Sequence, residues 1–108
     1  MLHFVDTETT GLDPFYHEMI SIAIITEYGD GRIERWHSKL RPEHIERSSP
    51  KALKVNGYNS IDWMDAPSFY EVFNIIQDKL RKGIIVGHNI AFDIAFIREA
   101  YKLIGEDP

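Results

Sequence analysis

Asp6-Thr7-Glu8-Thr9-Thr10-Gly11-Leu12-Asp13-Pro14 closes the short apolar run with which the chain opens, Leu2-His3-Phe4-Val5. Such a run, ending in acids and the turn signal Gly11-Leu12-Asp13-Pro14, predicts a strand leaving the core. On that strand Asp6 and Glu8 point to the same face, about 7 Å apart at ~3.3 Å rise per residue. Two readings are open for the pair: acids solvated at a strand end, or two carboxylates flanking one cation. A second stretch bears on the choice, Gly87-His88-Asn89-Ile90-Ala91-Phe92-Asp93-Ile94-Ala95-Phe96-Ile97. The preceding Ile84-Ile85-Val86 is too short for a helix and apolar on both faces, as a buried parallel strand should be. Asn89 is placed to cap the following helix. There Ile90, Ile94, Ile97, Tyr101 and Ile104 form a core-facing stripe, and Gly105 is the stop. Asp93 then lies about one turn into the helix, where the dipole favours its ionised form. It flanks the stripe and can face the sheet near Asp6 and Glu8, or it is an ordinary first-turn acid.

Between these stretches, β-branched residues dominate Met19 to Tyr28, and Gly29-Asp30-Gly31 turns the chain into Arg32–Leu40, which predicts a hairpin. Its second arm mixes Arg32, Glu34, Arg35, His37 and Lys39 with Ile33, Trp36 and Leu40, the polarity of an edge strand with one wet face. Ser49-Pro50 starts a short helix that Asn56-Gly57 ends. Ser68 and Glu71 have capping-box spacing for a longer one, with Phe69, Val72, Phe73, Ile76 and Leu80 on one face and Gly83 closing it. The order β-β-β-α-α-β-α predicts an α/β fold: a mixed sheet, antiparallel hairpin plus parallel strands, with flanking helices, as one domain over residues 1–108.

Composition narrows the chemistry. With 44% apolar and 27% charged residues among 108, the chain is that of an ordinary globular protein, and no apolar run is long enough to cross a bilayer. No secretory signal is visible at the start, so a cytoplasmic protein with no membrane association is expected. The absence of cysteine rules out thiolate sites and leaves carboxylate and imidazole as metal ligands, so that any metal is a hard one. A net charge of −5 argues against broad binding to a nucleic-acid backbone. It leaves room for an enzyme that gathers carboxylates around cations and lets these meet the phosphate.

Asp6-Thr7-Glu8-Thr9-Thr10-Gly11-Leu12-Asp13-Pro14 and Gly87–Ile97 together resemble the first and second exonuclease motifs of the DnaQ-like (DEDD) 3′–5′ exonuclease superfamily, especially bacterial polymerase proofreading subunits and their phage relatives. The resemblance covers essentially residues 2–105 and implies a ribonuclease H-like fold. It implies that Asp6, Glu8 and Asp93 ligate two Mg²⁺ or Mn²⁺ ions. The stretch Thr7, Thr9, Thr10 and Gly11 then supplies backbone groups, and Leu12 an apolar wedge, to the 3′ end of a single-stranded nucleic acid, DNA in preference, while Phe92 and Phe96 line the groove. For Leu12, Phe92 and Phe96 plain core packing is the alternative. His88 and Asn89 are expected to tie the strand end to the helix by hydrogen bonds at the edge of that groove.

The superfamily's third motif carries a fourth acid and a general base in H-x4-D or Y-x3-D spacing. His88/Asp93 and Tyr58/Asp62 have these spacings, but the first pair reuses the second motif's own aspartate and the second lies in a turn-rich stretch. The motif is therefore expected on a later strand and helix outside this chain, leaving the isolated chain with little or no nuclease activity until a completing chain or a polymerase partner supplies the rest. A non-catalytic module that binds nucleic acid or a polymerase is the competing function; the intact acids favour the enzyme.

Overall fold

Among residues 1–106, which the computed structural model describes, the elements follow the expected order: β1 (Leu2–Thr9), β2 (Met19–Glu27), β3 (Ile33–Lys39), α1 (Pro50–Asn56), α2 (Phe69–Leu80), β4 (Ile84–Val86) and α3 (Ile90–Leu103). A single 3-10 turn, Ile45–Arg47, lies between β3 and α1 without a sequence signal of its own. The sheet runs β3-β2-β1-β4, with β1/β2 and β2/β3 antiparallel and β1/β4 parallel. This is the mixed sheet the residue pattern implies, with β3 at an edge.

Two of the helix starts are built as their residues dictate. Ser49 accepts the Ala52 amide ahead of Pro50, and Gly57 ends α1 in the left-handed region at φ 69°. Ser68 accepts the Glu71 amide to start α2. At α3 the expectation fails: Asn89 makes no side-chain capping bond, and only its backbone carbonyl receives the Phe92 and Asp93 amides.

Alternation along β1 sends His3, Val5 and Thr7 toward the helices and Phe4, Asp6 and Glu8 the other way. Val5, Ile22 and Ile24 form the sheet side of the main core, against Val72 and Ile76 of α2 and Phe96, Ile97 and Tyr101 of α3. A smaller cluster of Ile20, Trp63 and Ala66 is anchored by the Trp63 indole donating to the Ile20 carbonyl at 2.8 Å. The buried face of α3 is rotated from the expected stripe: Asp93, Phe96, Ile97 and Tyr101 are buried, whereas Ile90, Ile94 and Ile104 are only half so. β4 also departs from the reading as a strand buried on both faces. It lies at the sheet's second edge, and Ile84 is 64% exposed.

β4 is brought to β1 by a tight turn. Gly83 has φ 97°, and a Cβ there would meet the Met1 carbonyl oxygen at 2.6 Å, so only glycine lets the chain pass. The buried His3 holds this corner, with Nε2 donating to the Lys82 carbonyl at 2.5 Å. Since that carbonyl can only accept, Nε2 is the donor there, and Nδ1 shares a hydrogen bond of 2.8 Å with the Thr26 hydroxyl. His3→Leu removes both bonds and leaves the buried Thr26 hydroxyl without its partner. An unfolding free energy lower by on the order of 2–4 kcal/mol is expected, read from urea melts followed by circular dichroism.

Candidate active site

β1 outruns β4. The parallel pairing ends at Phe4 opposite Val86, while β1 continues to Thr9. The backbone amide of Thr7 therefore has no strand partner on the β4 side. The Asp93 carboxylate fills that place, its Oδ1 accepting the Thr7 amide at 3.2 Å and the Thr7 hydroxyl at 2.5 Å. Asp93 is 6% exposed despite its charge. Burial raises its carboxyl above the ordinary 3.8, the Thr7 bonds oppose that rise, and the nearby negative charge of Asp6 adds to it.

Asp6 is exposed on the face away from the helices, and Glu8 follows on the same face, half-buried, with Oε2 accepting the Ser21 hydroxyl at 3.2 Å. The β1/β2 register shifts between Glu8 and Thr9, since Glu8 pairs with Ser21 but Thr9 with Met19. The extra residue, Ile20, is a bulge that bends the strand end at the acids. No salt bridge involves any of the three acids among the described residues. Nor do three acidic or imidazole side chains there converge tightly enough to enclose a cation as they stand. Asp93 on the Thr7 amide is next to Asp6 along β1, and the like charge of Asp6 bears on it with no salt bridge to either, so the chemistry of the pair suits a hard cation.

The turn after β1 is fixed by its own hydrogen bonds. The Thr9 hydroxyl donates to the Gly11 carbonyl, the Thr10 amide to the Glu18 carbonyl, and the Glu18 amide to the Thr10 hydroxyl. Thr9 and Thr10 are buried and their hydroxyls are spent inside the turn. Gly11 is glycine because the His17 ring lies on it; a Cβ would meet that ring at 2.4 Å. What the turn displays to solvent is Leu12, 83% exposed, with Phe15 and Tyr16 beside it. Phe96 lies in the main core at 2% exposure, as the packing alternative has it, with the half-buried Phe92 ring 4.9 Å away. His88 and Asn89 are exposed, and the expected tie from strand to helix is made instead by Thr7 and Asp93.

Several contributors lay outside any local pattern. Ser21 meets Glu8 across a strand pair, and the Asn56 amide donates to the Thr9 carbonyl at 2.8 Å from the end of α1. Glu18 accepts the amides of Glu43 and His44, pinning the loop after β3 to the turn. A groove of about 250 Å³ runs from that turn along α3, lined in part by Phe15, Tyr16, Arg47, Tyr70 and Leu103, with the Arg47 guanidinium 5.4 Å from the Tyr16 ring centre. The sole signal for it was the aromatic pair after Pro14.

A mixed sheet of order 3-2-1-4, with acids toward the C-terminal end of β1 and a third acid on α3, the helix that follows its parallel neighbour β4, defines a ribonuclease H-like domain. The chain belongs to the exonuclease family RNase_T, whose model matches residues 4–108, within the DnaQ-like superfamily. It is 32% identical over 110 residues to the DNA polymerase III subunit epsilon of Escherichia coli K12, covering 95% of this chain and 44% of that protein. It is 34% identical over 98 residues to the 3′-5′ exonuclease DinG of Staphylococcus aureus USA300, covering 91% of this chain and 11% of that one. Among solved structures, E. coli exonuclease I in complex with a dT13 oligonucleotide shares the fold, with a TM-score of 0.84 at 19% identity over 99% of this chain and 24% of that chain. The chain thus spans less than half the length of these relatives. No helix among the described residues is long and apolar enough to cross a membrane.

The raised carboxyl of Asp93 has a consequence for stability. Between the ordinary 3.8 and its raised value the folded chain binds more protons than the unfolded one, so stability falls across that window as pH rises and stays reduced at neutral pH. Asp93→Asn keeps an acceptor for Thr7 without the charge. Its melting temperature at pH 7 should exceed that of the unaltered chain, the gap closing as pH falls toward 3.8 in paired thermal melts.

Proposed function

We propose that this chain carries the metal-binding acids of a 3′–5′ exonuclease that shortens single-stranded nucleic acid from its 3′ end, DNA in preference, with Asp6, Glu8 and Asp93 holding two divalent cations of the Mg²⁺ or Mn²⁺ class. The observation that carries the reading is the buried Asp93 beside Asp6 with no cationic partner among the described residues. An uncompensated acid pair at a strand end is costly as structure and useful as a ligand set. All three donors are carboxylates, which suits a hard cation. When bound, such ions supply Lewis-acid activation of a water and charge stabilisation at the leaving 3′ oxygen.

The rest of the site suits a strand end. Leu12 stands free at the tip of a turn held by hydrogen bonds of its own and by the Asn56 and Ser49 donors to the Thr9 and Thr10 carbonyls, as a wedge against a terminal base requires, and Phe92 lies beside the acid it precedes. Tyr16 with Arg47 and the exposed Phe15 continue an aromatic surface on which bases stack without sequence preference. The relatives named for DNA polymerase III and for 3′-5′ exonuclease activity support the direction of cleavage and DNA as substrate, and suggest work alongside a polymerase. The exonuclease I complex with dT13 supports a single-stranded one.

The two motif-spaced candidates for a general base, Tyr58 and His88, make no hydrogen bond to the three acids: Tyr58 packs on Trp63, and His88 is exposed. A general base contributes roughly 10²–10⁴-fold, so the chain by itself should be a slow enzyme. A 5′-labelled single-stranded oligonucleotide incubated with the chain and Mn²⁺ tests the reading. Faint stepwise shortening from the 3′ end, abolished by Asp6→Ala, is expected. Internal cuts, or shortening that survives Asp6→Ala, would contradict it.

A further inference from the structure

We infer that Thr7, the residue between the two acids of β1, is the positioning residue for Asp93: it occupies one carboxylate oxygen and leaves the other as the single atom offered to a cation. The inference rests on the reading of Asp6, Glu8 and Asp93 as the metal-binding acids. Both donors of Thr7, the amide at 3.2 Å and the hydroxyl at 2.5 Å, fall on Oδ1 of Asp93. Oδ2 takes no hydrogen bond from the described residues and lies beside Gly87, where a Cβ would stand 3.5 Å from it. Turning the carboxylate about its own axis would break two bonds at once. The corner around Gly87 is close-packed, since the same Cβ would lie 3.0 Å from the Val5 carbonyl and from Ile90.

Thr7 suits this task and no substrate contact. Its side chain points to the helix side of the sheet, opposite Asp6 and Glu8, and its one hydroxyl proton is committed. A β-branched side chain on a strand has few χ1 choices, so the hydroxyl is held where the carboxylate needs it. Charge-assisted bonds of this kind are about twice as strong as neutral ones. Outer-shell partners that fix a ligand in this way are worth roughly 10–100-fold in metal affinity.

The test uses the whole 108-residue chain without nucleic acid, titrated with Mn²⁺ and read by the electron paramagnetic resonance signal of the free ion. Thr7→Val, isosteric but without the donor, should bind Mn²⁺ about 10-fold more weakly, whereas Thr7→Ser stays within about 2-fold of the unaltered chain. Thr7→Ala, which deletes the donor without setting a methyl against the carboxylate, replaces Thr7→Val if melting curves show that variant unfolded. Equal Mn²⁺ binding by Thr7→Val or Thr7→Ala and the unaltered chain overturns the positioning role and leaves the acid site standing. An unaltered chain that binds no Mn²⁺, or an Asp6→Ala variant that binds it equally well, overturns the reading of the site and the role of Thr7 with it.

Discussion

A backbone amide inside a protein must find an acceptor, and in this fold the amide of Thr7 finds it on a side chain distant in sequence. The parallel pairing of β4 with β1 stops at Phe4. Had β4 run two residues further, a carbonyl would have met Thr7 and the third acid would have had no berth. Instead Gly87 turns the chain into α3, whose first turn delivers Asp93 to the vacant ladder position. The orientation of α3 satisfies that contact together with the core packing of Phe96, Ile97 and Tyr101. Its buried side centres on Asp93, Phe96, Ile97 and Tyr101, and that rotation carries Phe96 into the core and leaves Ile94 half-buried.

That arrangement sets stability against function. Desolvation and the neighbouring charge of Asp6 both disfavour the ionised form of Asp93, and the two bonds from Thr7 recover only part of the loss. The core of Val5, Ile22, Ile24, Val72 and Ile76 carries the difference, each fully buried aliphatic side chain contributing roughly 1.5–3 kcal/mol. On the other side of the sheet nothing comparable covers Phe4, Ile25, Ile33 and Ile84, which the described residues leave exposed. The two ends of β1 are thus built differently: a corner where both ring nitrogens of His3 are hydrogen-bonded, and an acidic end with like charges side by side.

Legibility in the sequence tracked how local each determinant is. Strands, helices and their order were readable because period, caps and turn residues act over a few positions: Ser49 with Gly57 bounds α1, and Ser68 starts α2. The resemblance of the two motifs to the superfamily located the family. Asn89 misled, because cap chemistry was inferred from residue type while its backbone, at φ −133° and ψ 67°, left the side chain without a bond to the helix amides. Of the stripe on α3, Ile97 and Tyr101 are buried as expected, while Ile90, Ile94 and Ile104 are only half so, because the inward face also takes in Phe96 and the Asp93 that pairs with Thr7, a contact distant in sequence. The turn of Thr9 and Thr10 is expected to offer backbone groups to a substrate, and their hydroxyls close the turn around Gly11, which only the folded contact with Glu18 reveals. Ile84 read as buried because a three-residue apolar strand carries no sign of whether a neighbour lies beyond it.

The alternation of a strand explains why these acids sit where they do. Adjacent strand residues face opposite sides, so an acid-x-acid triplet sends two carboxylates one way and the middle residue the other. With a short hydroxyl residue in the middle, three consecutive positions of β1 reach three carboxylates: Asp6 and Glu8 on their own side chains, and Asp93 through Thr7. A helix could not do this, because neighbours in sequence there lie on diverging faces and side chains meet only at spacings of three and four. The site therefore needs a strand end, and one that outlasts its parallel neighbour. Both conditions are met where β1 passes β4, and this is the stretch in which the residues of the first motif are found.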